Sequence, residues 1–324
     1  MLNIQINTTS LPMVLGLLSG GGGPTGEADY LHTIATTVVD TYYKLVCNDV
    51  GVFDATIDWG DGSIPSVITT FDDIGLAHTY AAAGTYQIRV SGTFPSLFAE
   101  FSGASNLLVQ SVDNLGSVGW LDLDYAFRQY SNMTSWTAGD CDISGVTSMA
   151  GFWMYCYDLV TVDTSGMDVS NVTNLDSLFR NNTSLVNIDC STWDTSSVIN
   201  FESMFRGSEV RETINVTGWD TSKGENFQLA FQGLPETGMD VVGLEGWDYS
   251  GINGINDLYL WFTQSAMPTA RYDAVLIAMV AVPQFTGLST SFGTSTYTSG
   301  GAAATARALL ISRDSWVIID GGTA

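Results

Sequence analysis

The sequence predicts a mixed, β-rich chain of several domains: a β-sandwich, then a solenoid of 26-residue repeats, then a small α/β C-terminal cap. Three observations carry that expectation. From Trp120 to Phe262 the pattern apolar-x-x-apolar-x-x-apolar-aromatic recurs. It ends at Phe127, Trp153, Phe179, Phe205 and Phe231 at intervals of 26, and at Phe262 after 31. Upstream, Gly60-Asp61-Gly62 sets a tight turn between alternating runs, because glycine accepts positive φ. Across the chain, 34 Gly with abundant Ser, Thr and Asn mark short strands and turns, and 45% hydrophobic content marks a folded protein.

Charge narrows the partners. The net charge of -24 arises from 34 Asp and Glu against 10 Lys and Arg, so the surface repels phosphate backbones and anionic headgroups. No nucleic-acid binding and no membrane insertion are expected, and no apolar run is long enough for a bilayer. Cys47, Cys141, Cys156 and Cys190 form no CxxC pair or metal-like cluster and read as free thiols. Leu11–Leu18 is a poor export signal, broken by Pro12 and Gly16 and without a basic start.

Residues 1–27 read as an N-terminal arm. Leu2, Ile4 and Ile6 alternate like a strand, and Gly20–Gly23 with Pro24 forms a flexible joint. Residues 1–23 are expected to dock on a partner or sister subunit. Residues 28–95 read as the sandwich, with strands at Thr36–Val39, Tyr42–Val46, Ala55–Trp59, Ser66–Thr69, Leu76–Tyr80 and Thr85–Ser91. The block Asp58-Trp59-Gly60-Asp61-Gly62, followed by His78-Thr79-Tyr80 and Gly84-Thr85-Tyr86, resembles the PKD family of Ig-like modules. That resemblance implies a spacing or adhesive sandwich in which Asp58, Trp59, Gly60, Asp61, Gly62, His78 and Tyr80 maintain the fold. His78 is then a structural histidine rather than a base.

Residues 96–119 read as linker and N-cap of the solenoid, with Leu107–Val109 and Val112 as its first strand. Residues 120–267 form the solenoid itself. Apolar residues at i, i+3 and i+6 suit a short helical turn, and Met133/Trp136, Leu159/Val162 and Leu185/Ile188 suit the strand side of each coil. An Asp-x-Ser at Asp142, Asp168, Asp194, Asp220 and Asp248 is placed to cap the next helical turn. Asp168–Phe179 (DVSNVTNLDSLF) and Asp194–Phe205 (DTSSVINFESMF) resemble the BspA-type bacterial leucine-rich repeats, which implies a leucine-rich-repeat solenoid. Gly224 at an apolar slot, the slipped Phe205–Val210 stretch and the long last copy depart from that pattern. Residues 268–324 read as the cap, with helices at Arg271–Val282 and Ala302–Ile311 and a strand at Trp316–Ile319. Their pattern resembles the ends of BspA-type proteins encoded by tailed phages.

Catalytic templates fail. His32 and His78 are the only histidines, no nucleophile elbow or phosphate loop is present, and zinc has no ligand cluster. The carboxylates recur with the repeat, as a structural ladder should. No enzyme and no cofactor are expected, calcium on the Asp-x-Ser ladder being the weaker alternative. Trp193, Trp219 and Trp247 share one repeat phase, with Trp153, Tyr155 and Tyr157 nearby. They form either an aromatic binding surface for sugars or protein loops, or a buried column.

The resemblances imply a non-enzymatic virion structural protein of a tailed phage: a tail fibre, spike or capsid-surface protein. It would meet other virion proteins through residues 1–23 and a host surface glycan or protein through the repeats. A homo-oligomer, threefold by analogy with fibres, is expected. The alternatives are a secreted bacterial surface adhesin and a polysaccharide-degrading tailspike.

Overall fold

The computed structural model describes residues 29–101, 103–236, 239–252, 257–281 and 286–324. The expected arm and its docking residues 1–23 lie outside these. Ile255 of the last repeat does too.

The N-terminal strands are β1 (Tyr30–Thr36), β2 (Thr41–Lys44), β3 (Asp54–Asp58), β4 (Ser66–Ile68), β5 (Ala77–Tyr80) and β6 (Gly84–Thr93). Alternation builds β1: Tyr30, His32, Ile34 and Thr36 are buried and the residues between them are not. The strand expected at Thr36–Val39 is therefore displaced. Val38 and Val39 lie in a turn at 62% and 63% exposure, while a histidine and a threonine hold core positions in β1. Strands β1, β3, β4 and β6 pair antiparallel, and β2 and β5 form a separate antiparallel pair.

The expected fold class needs correction. The sandwich and the repeats are not two architectures in series. Strand β7 (Val109–Asn114), inside the expected linker, pairs antiparallel with β1 and parallel with β8 (Ser135–Thr137), which pairs with β9 (Thr161–Asp163). One mixed, seven-stranded sheet results, in the order β4-β3-β6-β1-β7-β8-β9. Strands β10 (Asn187–Asp189), β11 (Thr213–Asn215) and β12 (Asp240–Val242) form a separate parallel ladder. Among the described residues the repeats thus form no closed leucine-rich-repeat solenoid.

Nor are the helical turns helices. Two residues before each repeat aromatic the backbone is left-handed, at Tyr125, Gly151, Ser177, Ser203, Leu229 and Leu260. Two residues after it is left-handed again, at Gln129, Tyr155, Asn181, Gly207, Gly233 and Gln264. L-residues in that region cannot propagate a right-handed helix. The freed N–H groups point along the stack instead. Ser177, Phe179 and Asn181 donate to the carbonyls of Glu202, Met204 and Arg206 in the next repeat, at 2.8 Å each. Intervening residues close three-residue turns, as Arg180 does on Ser177 at 3.1 Å. A helix would spend both sets of donors within itself. Here half of them join neighbouring repeats.

The only α-helices among the described residues are α1 (Thr269–Ala281) and α2 (Ala302–Ser312). They flank a parallel pair, β13 (Ser289–Ser291) and β14 (Val317–Ile319), so the C-terminal segment is a two-strand, two-helix end. No described helix is long and apolar enough to cross a membrane.

Both histidines are absorbed by the N-terminal strands. His32 is fully buried, stacks on Tyr30 at 4.9 Å, and its Nε2 lies 2.8 Å from the Tyr43 hydroxyl. Burial drops its pKa from 6.5 to about 3, with Asp113 opposing. Below pH 6.5 the unfolded chain binds a proton that the folded chain refuses. Stability is therefore expected to fall by about 1.4 kcal/mol per pH unit between those two values. Urea titrations at pH 7 and pH 5 should show the loss, and His32→Gln should remove most of it. An unchanged slope in that variant would discount the buried imidazole.

Candidate functional site

The repeat aromatics line the interior. Trp153, Phe179, Phe205, Phe231 and Phe262 stack in one column, with neighbouring rings 4.6, 5.6, 5.4 and 4.8 Å apart. Trp193, Trp219 and Trp247 form a second column at 6.2 and 5.8 Å, each ring within 7° of parallel to the next. All four tryptophans are at most 5% exposed. Of the expected binding surface, Trp153, Trp193, Trp219 and Trp247 are therefore core. The reason is their regularity: a large apolar ring at one phase in successive repeats is most stable against its own copies. Tyr155 is half-buried and Tyr157 is 42% exposed, so only these two reach the surface.

The Asp-x-Ser ladder closes turns rather than capping helices. Asp142, Asp168, Asp194, Asp220 and Asp248 each accept the backbone N–H of the serine two residues on, at 2.8–3.0 Å. Serine hydroxyl and backbone hydrogen bonds hold the Asp142, Asp168 and Asp220 carboxyls below the usual range. Each carboxylate is thus committed locally. Asp168→Ala is expected to cost about 1 kcal/mol in urea unfolding, the scale of a lost cap. Excess calcium should leave the unfolding midpoint unchanged, and a clear calcium-dependent rise would restore the metal alternative.

The Gly-Asp-Gly block is likewise structural. Asp58 accepts the Gly60 N–H at 3.0 Å, and the Tyr80 hydroxyl donates to the Trp59 carbonyl at 2.9 Å. His78 stacks on Trp59 at 5.1 Å with its Nε2 2.8 Å from Asp61 Oδ2. Despite some desolvation, hydrogen bonds from Ser63 and His78 bring the Asp61 pKa down to about 2. Gly62 completes the turn at φ +79°.

What the repeats leave outward is an arginine–tyrosine edge. Arg128, Met154, Arg180 and Arg206 occupy one phase, directly after the core aromatic, and Gln129, Tyr155, Asn181 and Gly207 occupy the next. Ladder bonds set the register. The N–H groups of Gln129, Tyr155 and Asn181 donate to the carbonyls of Met154, Arg180 and Arg206 at 2.9, 2.9 and 2.8 Å. The Arg128 guanidinium lies 4.9 Å from the Tyr125 ring centre and 5.2 Å from that of Phe101, which is itself 68% exposed. Arg180 lies 6.0 Å from the Tyr155 ring. A cleft of about 230 Å³ opens beside Arg128, lined by Gly103, Leu107, Gln129 and Ser131.

The charge arrangement of this edge is unusual for the chain. Arg89, Arg271, Arg307 and Arg313 all form salt bridges, to Asp29, to Asp240 and Glu245, to Asp320 and to Asp314. Among the described residues Arg128, Arg180, Arg206 and the exposed Arg211 form none, and Nε of Arg128 and of Arg180 is buried without an acceptor. Asp176 lies close enough to feel Arg180, yet burial and the neighbouring Glu202 carry its carboxyl above the usual range. Sequence reading missed these arginines because it followed aromatic and acidic periodicity. Their common phase was the available signal.

Residues 121–247, about two-fifths of the chain, match a family model described as Mycoplasma protein of unknown function, DUF285. The match falls on the repeats alone. No curated protein and no solved structure matches this chain.

Proposed function

We propose that this chain is a non-enzymatic recognition protein whose repeats display the arginine–tyrosine edge to a surface glycan or protein. The observation that carries this is a row of guanidinium groups without salt bridges, Arg128 over Tyr125 and Arg180 over Tyr155, with the exposed Tyr157 against Tyr155. Tyrosine and arginine together supply the flat apolar area and directional donors that dominate binding hot spots. The likeness of the repeats to BspA-type surface proteins supports the same role, with the PKD-like N-terminal unit as a spacer. The setting we propose is a tailed-phage virion, on the resemblance of the C-terminal pattern.

Labelled protein should bind intact host cells saturably, and Tyr157→Ala with Arg206→Gln should weaken that binding. Equal binding by this double variant would sink the recognition reading. Mass spectrometry of purified particles tests the setting separately. Particles lacking the chain, with the protein found on intact bacterial cells, would favour the adhesin instead.

Asp176 favours a second reading. A carboxyl carried upward by burial, with Glu202 one repeat on, is one ingredient of acid-assisted glycoside cleavage. Reducing-end release from host glycans, abolished in Asp176→Asn, would support the polysaccharide-degrading alternative. No release by the wild-type chain would dismiss it.

A further inference from the structure

The same edge also points to the charge of its ligand. We propose that it binds an anionic polysaccharide through sugar carboxylates, the polymer lying along the repeat axis across Arg128, Tyr155, Arg180 and Arg206. This rests on the recognition reading and adds the ligand's chemistry.

The first support is that the edge arginines form no ion pair. The chain has 34 Asp and Glu for 10 Lys and Arg, so an arginine left at random would meet a carboxylate readily. Every arginine outside the repeats does so. Those at the repeat edge do not, nor does Arg211 in the same repeats, although Asp176 lies near Arg180 and guanidinium and carboxylate match as a bidentate pair. Arg128 and Arg180 are instead held by neutral partners, Arg128 by the Ala99 carbonyl at 3.3 Å and the Tyr125 ring, and Arg180 by the Tyr155 ring, which leaves their charge unneutralised.

The second support is geometry. Hydrogen-bonded repeats place equivalent residues about 4.8 Å apart. Arg180 and Arg206 are one such step apart, and Arg128 and Arg180 two. A polymer of sugars is also regular, with carboxylates recurring along its length. Tyr157, 42% exposed and 6.0 Å from the Tyr155 ring, adds an aromatic surface for the apolar faces of pyranoses. Asn181 and Thr183 add an amide and a hydroxyl for sugar hydroxyls, and the cleft beside Gln129 has room for a terminal residue.

The test is calorimetric titration of the full chain, at low salt, with an oligogalacturonate, its methyl ester and neutral dextran. The acid form should bind, the ester should bind at least about tenfold more weakly, and dextran should not bind. Arg180→Gln and Arg206→Gln should each weaken binding by about tenfold while unfolding at the wild-type temperature. Arg206→Lys should recover part of the loss. Should Arg180→Gln unfold early, Arg206→Gln alone decides the matter. Equal binding of acid and ester overturns the inference and leaves recognition standing. So does attachment to host cells without binding of any of these sugars. Loss of both sugar binding and cell attachment defeats the recognition reading itself. Equal binding of polyglutamate, or self-association abolished by Arg206→Gln, overturns the inference in favour of an acidic protein or a second copy.

Discussion

Phe205→Ala is expected to lose about 3–5 kcal/mol of unfolding free energy, a large part of the stability of any folded domain. Phe205 is fully buried, with Phe179 stacked at 5.6 Å on one side and Phe231 at 5.4 Å on the other. Truncation therefore removes two ring contacts and opens a cavity that the hydrogen-bonded turns on either side cannot close. Phe205 N–H donates to Ala230 and Phe179 N–H to Met204, both at 2.8 Å, which fixes the spacing of the repeats. Phe205→Leu should recover roughly half of the loss by refilling part of the volume. Urea unfolding of the three proteins checks the ordering. A loss below about 1 kcal/mol for the alanine variant would mean that the column is not a stressed part of the core.

Gly60→Ala is expected to cost about 2–4 kcal/mol, from a left-handed backbone and a steric clash together. Gly60 sits at φ +77°, and an added Cβ would lie 2.4 Å from the Gln87 carbonyl oxygen. That oxygen belongs to β6, paired to β1 and β3, so it cannot withdraw without disturbing the sheet. Gly62 supplies the control. Its φ of +79° is nearly the same, but a Cβ there meets nothing within 4 Å. Gly62→Ala should therefore show only the backbone part, about 1–2 kcal/mol. Thermal unfolding of the pair separates the contributions, and equal losses would remove the clash with Gln87 from the account.

Some of this was legible in the sequence for a clear physical reason. Residues that pack against their own copies keep a strict period, so the core aromatics and the Asp-x-Ser turns stand out without a structure. The strands at Trp136, Val162 and Ile188 fall where an apolar residue sits between polar ones. The backbone of the aromatic turn was less legible. Tyr125 and Leu229 carry positive φ without a residue type that favours it, because ladder bonds to the next repeat hold them there. Gly151 stands in the phase before the aromatic, and Gly207 and Gly233 in the phase after it, and glycine at those two phases was the clue against a helix. The continuous mixed sheet was hidden for another reason. Strand β7 joins sandwich to repeats by pairing with β1, residues far upstream whose core positions include His32 and Thr36.

The candidate site divides along the same line. Trp193, Trp219 and Trp247 were conspicuous because they repeat, and repetition placed them inside. Arg128, Arg180 and Arg206 share a phase but skip Met154, and the turn geometry sets that phase at the surface. Tyr157 was visible as a residue but not as exposed until its neighbours in the stack were known.

The central claim is that the repeating columns are scaffold and the arginine–tyrosine edge is the site. The most direct measurement compares two double variants for binding to the acidic glycan and for stability in urea. One is Arg180→Gln with Arg206→Gln, and the other is Asp168→Ala with Asp194→Ala. The account predicts that the arginine pair loses binding at unchanged stability, and that the aspartate pair loses stability while its folded form binds normally. Binding lost with the aspartates and kept without the arginines would contradict it.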